Sequence, residues 1–99
     1  MSDGMPVTLH LKVVTPRRLL VEADVEAVFL PTLEGQIGVY PGHRLLFTGI
    51  GRGRLAYREP GGGGEESFPI QGGYAQVEPG QVVVMTEVGE DEGNGESAA

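Results

Sequence analysis

The 99 residues contain no cysteine and no tryptophan. Without thiols there is no disulfide framework, no thiolate zinc site and no thiol nucleophile, and the chain is compatible with a reducing compartment. Lysine occurs once, at Lys12, followed by Val13, so the exposed hairpin-tip lysine of a lipoyl or biotinyl carrier is missing. No apolar run approaches the roughly 20 residues of a membrane span, and Met1–Pro6 lacks the basic and apolar regions of a signal peptide. Basic residues are absent after Arg58: residues 1–58 hold seven basic and five acidic groups, whereas residues 59–99 hold nine acidic groups and no basic one. A net charge of -7 opposes nucleic-acid binding, which needs clustered lysine and arginine to neutralise phosphates.

What is present is glycine and short β-patterned runs. Thr8–Thr15 alternates polar and apolar residues, placing Leu9, Leu11 and Val13 on one face and His10 and Lys12 on the other. Pro16-Arg17-Arg18 turns the chain. Leu19–Val21 and Val25–Leu30 read as two strands separated by Glu22-Ala23-Asp24, and Leu45–Ile50 as the next. Gly49, Gly51 and Gly53 signal a bulge or tight bend, after which Arg54–Arg58 alternates again. Pro60–Gly64 reads as a hairpin tip without a site, since no Lys-Ser or Lys-Thr follows its glycines. Ser67–Ile70, Gly72–Val77 and Val82–Val88 complete the series, with Glu78–Gln81 as the last turn. With seven or more short strands and no helical period, residues 7–88 are expected to form an all-β sandwich or barrel. Residues 1–6 are expected to be a flexible start, and residues 89–99, which carry no apolar side chain larger than alanine after Gly89, a disordered acidic tail.

Leu33–His43 spends three glycines and a proline on eleven residues. It reads as a shaped loop in which Gly35, Gly38 and Gly42 supply positive φ or close approach, Pro41 fixes its own φ, and Glu34, Gln36 and His43 are held outward together. Chemistry has little support there. His43 has His10 as the only other histidine, too few for a three-histidine cupin-type metal site. Glu34 has no partner carboxylate at a recognisable spacing, and Ser2, Ser67 and Ser97 lack a nucleophile-elbow context. No catalytic, cofactor or metal residues are assigned. A free-standing sugar- or peptide-binding sandwich would expose aromatics, yet Tyr40, Tyr57, Tyr74, Phe29, Phe47 and Phe68 fall mostly on core periods.

Glu34-Gly35-x-x-Gly38-x-x-Pro41-Gly42-His43, followed by Leu45-Leu46 and Thr48, resembles the epsilon subunit of F-type ATP synthases. The likeness extends to Leu9-His10-Leu11-x-Val13-Val14-Thr15 before it and Gly72-Gly73-Tyr74-Ala75-Gln76-Val77-Glu78-Pro79-Gly80 after it. The resemblance implies the family's N-terminal sandwich of two five-stranded sheets. It also implies a mechanical role in the central stalk, joining the gamma subunit to the membrane ring of c subunits, with no small-molecule substrate of its own. The implied location is peripheral, on the cytoplasmic face of a bacterial-type inner membrane. By the same carry-over, Glu34, Gly35 and Gln36 face the ring, Thr15, His43 and Thr48 lie toward gamma, and Gly38, Pro41 and Gly42 shape the loop. Leu45-Leu46-Phe47-Thr48 departs from the family's Pro-Leu-Leu-Thr. Many members also carry a C-terminal helical hairpin that inhibits hydrolysis or binds ATP; the acidic tail is expected to do neither.

Overall fold

A computed structural model describes residues 7–88; the flexible start and the acidic tail expected at 1–6 and 89–99 lie outside the described residues. Eight strands form: β1 (Leu9–Val14), β2 (Leu19–Val25), β3 (Ala27–Thr32), β4 (Gly35–Val39), β5 (Leu46–Gly49), β6 (Arg52–Arg58), β7 (Glu65–Glu78) and β8 (Gln81–Val88). A 3₁₀ turn at Pro60–Gly62 caps the β6–β7 hairpin, and no helix of the described residues is long and apolar enough to cross a membrane. The hydrogen-bonded order is β2-β1-β8-β7-β6-β3-β4, with β5 on β7. Among the described strands, only β1 and β8 run parallel.

One strand turns this continuous sheet into two layers. The first half of β7, Glu65 to Gln71, pairs with β6, while Tyr74 to Val77 pairs with β5. β8 follows both halves, and its register breaks between Gln71 and Tyr74. At that break Gly72 and Gly73 have φ of 73° and 96°, the left-handed region that glycine enters without steric cost. The buried Thr86 hydroxyl donates to the Gly72 carbonyl at 2.7 Å, so the bulge's unladdered backbone is satisfied from within. Ser67–Ile70 and Gly72–Val77 are therefore one bent strand and not two. Counted once in each layer, β7 and β8 bring eight strands to ten segments, five per layer: β2-β1-β8-β7-β5 and β4-β3-β6-β7-β8.

Alternation fills the space between the layers. Leu9, Leu11 and Val13 point inward from β1, Val82 and Val84 from β8, Ala75 and Val77 from β7, and Val28, Leu30, Leu55 and Ile70 from the second layer, all in one buried cluster. Glu22-Ala23-Asp24, read as a break, lies inside β2. The two acids alternate outward around Ala23, so the same triplet that looks like a turn by composition fits an edge strand by period. The chain breaks instead at Glu26, whose amide donates to the Arg58 carbonyl at 2.8 Å.

Gly73 is the residue this arrangement can least spare, because a Cβ there would overlap the Met85 carbonyl oxygen as well as force a side chain to positive φ. Gly73→Ala is expected to cost more than about 3 kcal/mol in a denaturant titration. A loss below about 1 kcal/mol would mean that the bend tolerates a side chain and does not govern the fold.

Candidate functional site

The stretch Leu33–His43 is a hairpin and a turn, not one loop. Gly35–Val39 forms β4 because Ile37 and Val39 alternate inward, and it pairs with β3 from Thr32↔Gly35 to Val28↔Val39. Leu33 and Glu34 alone make the tip, followed by Gly35 at φ 121°. Thr32 sets its shape: its hydroxyl accepts the Glu34 N–H at 3.2 Å and donates to the Gly35 carbonyl at 2.5 Å. Glu34, Gly35 and Gln36 are all exposed, as is Leu33 at 74%.

Of the two roles the loop reading allows Gly38, positive φ is not the one it takes. It lies in β4 opposite Phe29, where a Cβ would come 3.3 Å from the Phe29 ring and 3.5 Å from Tyr40. The two rings meet edge to face across the missing side chain, 6.1 Å between centroids. Glycine is kept there for aromatic packing, not for backbone geometry.

Pro41 and Gly42 form the turn at the other end of β4, with Gly42 at φ 91° and its N–H donating to the Pro79 carbonyl at 2.8 Å. His43 follows; its amide donates to the Tyr40 carbonyl at 3.1 Å, and its Nδ1 sits 2.7 Å from the Arg44 carbonyl, as donor in that tautomer. The five residues of β4 put roughly 15 Å between His43 and the Glu34–Gln36 tip. These residues do not form one constellation, and no acid–base pairing between Glu34 and His43 is possible.

Thr15 follows β1 and Thr48 lies in β5, both in the first layer; Thr48 is turned to the inner side of the sheet edge, as Ala75 opposite it is, and Phe47 beside it to the outer side. Thr15 organises the β1–β2 turn: its hydroxyl accepts the Arg17 and Arg18 amides, each at 3.2 Å, and its own amide donates to the Arg18 carbonyl at 2.9 Å. Thr48 lies on edge strand β5 opposite Ala75. Between them runs a row that the sequence reading missed. Phe47 on β5 stacks on Tyr74 of β7, 5.1 Å between centroids; Tyr74 pairs with Met85 of β8, and Met85 with Val14 of β1. Phe47 is 67% exposed, and Leu45, just before β5, is 73% exposed. Tyr40, Phe47 and Tyr74 are thus on the surface, not on core periods. The available signal was Leu45-Leu46-Phe47: consecutive apolar residues entering a strand cannot all face inward.

Further along the same outer face, His10 sits between two carboxylates of β2. Its Nδ1 is 3.0 Å from Asp24 Oδ1 and its Nε2 2.9 Å from Glu22 Oε2. The Asp24 and then the Glu22 hydrogen bond raise the imidazole above its ordinary value of 6.5. His10, with Lys12 adding a smaller attraction, lowers Glu22 below 4.5.

A family model described as ATP synthase, Delta/Epsilon chain, beta-sandwich domain matches residues 8–92. The ATP synthase epsilon chain of Solibacter usitatus is 40% identical over 86 residues, covering 87% of this chain and 63% of the relative. That of Prochlorococcus marinus strain MIT 9515 is 39% identical over 79 residues, covering 80% and 58%. The chain thus spans about six tenths of the length of the curated relatives it matches. Among solved structures, a chain in the Euglena gracilis mitochondrial ATP synthase OSCP/F1/c-ring assembly superposes with a TM-score of 0.78 at 27% identity, covering 87% of this chain and 54% of that one. A chain in the Tetrahymena thermophila mitochondrial ATP synthase central stalk/c-ring assembly shares the fold, with a TM-score of 0.70 at 11% identity, over 92% of this chain and 73% of that one.

The His10 cluster makes a pH-dependent prediction. His10 with a raised value adds stability below its unfolded value near 6.5 and loses it as pH rises through the folded one. Glu22 with a lowered value adds stability above 4.5 and loses it as pH falls through the folded one. The contribution is largest between those two values, so His10→Gln should lower the melting temperature more at about pH 5.5 than at about pH 8. An NMR titration placing His10 at or below 6.5 would contradict the bracketed geometry.

Proposed function

The chain belongs to the delta/epsilon-chain family of ATP synthases through its beta-sandwich domain, and from that premise we propose that it is a rotor-stalk subunit linking the gamma subunit to the membrane c-ring. It contributes no catalytic group. Its work is to keep gamma and the ring turning together, so that torque from ion translocation reaches catalytic sites on other subunits. It is held peripherally, on the cytoplasmic face of the membrane, through the complex.

The observation that supports this reading best is the presence of two exposed surfaces of different chemistry on one hydrogen-bonded sandwich. The Leu33–Gln36 tip is small and mainly polar, suited to the polar loops of a ring past which it must be fitted without aggregating. The outer face of the first layer is suited to gamma: it carries the Phe47–Tyr74–Met85 row, with Thr48 next to Phe47 at the sheet edge, Thr15 following Val14 at the other end, and His43 beyond Leu45 on the chain entering β5. Stacked, exposed aromatics beside an edge strand supply large apolar contact area at low entropic cost. Torque transmission also needs layers that do not slide, and β7 and β8 belong to both.

Two readings compete physically. A carbohydrate-binding sandwich also exposes aromatics, but Phe47 and Tyr74 are tilted against each other by 33° and stacked together, leaving no open platform for a sugar ring between them. Family membership favours the stalk.

Binding to gamma tests the assignment. Phe47→Asp leaves the core intact, so the melting temperature should hold, while affinity for gamma measured by calorimetry should fall by about 2 kcal/mol, roughly thirtyfold. Undiminished affinity would remove the apolar row from the gamma interface. Failure of the parent chain to co-purify with the catalytic head would remove the stalk assignment itself.

A further inference from the structure

β3 and β6 stop pairing after Phe29↔Ala56, and two residues on is Pro31, which has no N–H to continue a ladder. The hairpin stem must be held in another way, and the structure does so with Gly49, Gly51 and Gly53. The Gly51 N–H donates to the Pro31 carbonyl at 2.7 Å, the Leu33 N–H donates to the Gly49 carbonyl at 3.1 Å, and Thr32 bridges Ile50. Each glycine lies beneath one stem residue. A Cβ at Gly49 would sit 2.6 Å from Leu33 Cδ1, one at Gly51 3.0 Å from the Thr32 carbonyl oxygen, and one at Gly53 2.9 Å from Pro31 Cβ. The track is itself tied to the bend of β7, for the Ile50 N–H donates to Gly73 at 3.0 Å and the Gly72 N–H to Gly51 at 3.2 Å.

We propose that Gly49, Gly51 and Gly53 are positioning residues for the tip: their bare backbone seats Pro31, Thr32 and Leu33, and so fixes where Glu34 and Gln36 are presented to whatever the tip touches. The consequence for coupling rests on the stalk reading above; the positioning itself does not. Backbone hydrogen bonds from a strand shared by both layers reach the tip through three glycines, which makes the track the route by which load on the tip enters the sandwich. Substitutions at Gly49 and Gly53 differ in kind. At Gly49 a methyl meets the far end of the exposed Leu33 side chain, which can swing away. At Gly53 it meets the pyrrolidine ring of Pro31, which cannot, so the stem must lift.

The test uses the full chain, alone and in the assembled synthase. In Gly53→Ala, hydrogen exchange at the Gly51 and Leu33 amides should quicken about tenfold while the Leu11 and Val84 amides keep their protection. ATP synthesis in reconstituted membranes should fall several-fold, with hydrolysis by the catalytic head retained. Should Gly53→Ala not fold, Gly51→Ala, whose Cβ would sit 3.0 Å from the Thr32 carbonyl oxygen, presses on the same seat and should still quicken exchange at the amide of that position. Unchanged exchange at Gly51 in the folded variants overturns the positioning role, whatever happens to coupling. Quickened exchange with full ATP synthesis upholds the positioning role and overturns the contact of the tip with the ring.

Discussion

The fold depends on a single backbone event, the passage of β7 from one layer to the other through Gly72 and Gly73. A strand that serves two sheets has to bend sharply while keeping both ladders, and two consecutive residues at positive φ let it do so. Met85 packs its carbonyl where a Gly73 side chain would be, and the Thr86 hydroxyl takes the Gly72 carbonyl. Because β8 tracks β7 across the break, the layers are joined by continuous hydrogen bonding as well as by the apolar cluster between them. Sliding one layer over the other would break strands, not merely repack side chains.

The surfaces proposed to work in the stalk are arranged by that bend. The second half of β7 supports β5, which places Phe47 beside Tyr74, and the bulge anchors Ile50 and Gly51, which support the hairpin stem. The groups proposed to face gamma and the ring therefore hang from the same few residues even though β4 separates His43 from the tip by its full length. A stalk part that must pass torque between two partners gains from this economy, since neither contact can move far without the other. The His10, Glu22 and Asp24 cluster secures the opposite margin, where edge strand β2 has only β1 as a partner.

Much of this was readable from residues. Leu9, Leu11 and Val13 alternate so cleanly that β1 could not be missed, and the glycine-rich turns placed most strand ends. The failures have physical causes. Glu22-Ala23-Asp24 looks like a turn by composition, but its carboxylates are held by His10 twelve and fourteen residues away. Gly35–Val39 has too few large residues to announce a strand, and its pairing with β3 supplies what propensity does not. Gly38 was assigned a backbone role, but the Phe29 ring across the sheet and the Tyr40 ring two residues on fill the space a side chain there would need. Gly49, Gly51 and Gly53 read as a bulge or tight bend and not as a seat for the hairpin stem, and Thr32 escaped notice, because their partners lie on other strands; exposed Phe47 escaped because an aromatic in a short run reads as core. Thr15 and Thr48 are half-buried, and the tip is exposed.

The absence of cysteine opens the most direct trial of the stalk account. Single cysteines at Gln36 and at Thr48 can each be cross-linked in an assembled synthase without interference from native thiols of this chain. The account predicts that Gln36→Cys joins the c-ring and Thr48→Cys joins gamma. Exchange of the two partners, or no product at either position in an active complex, would contradict it.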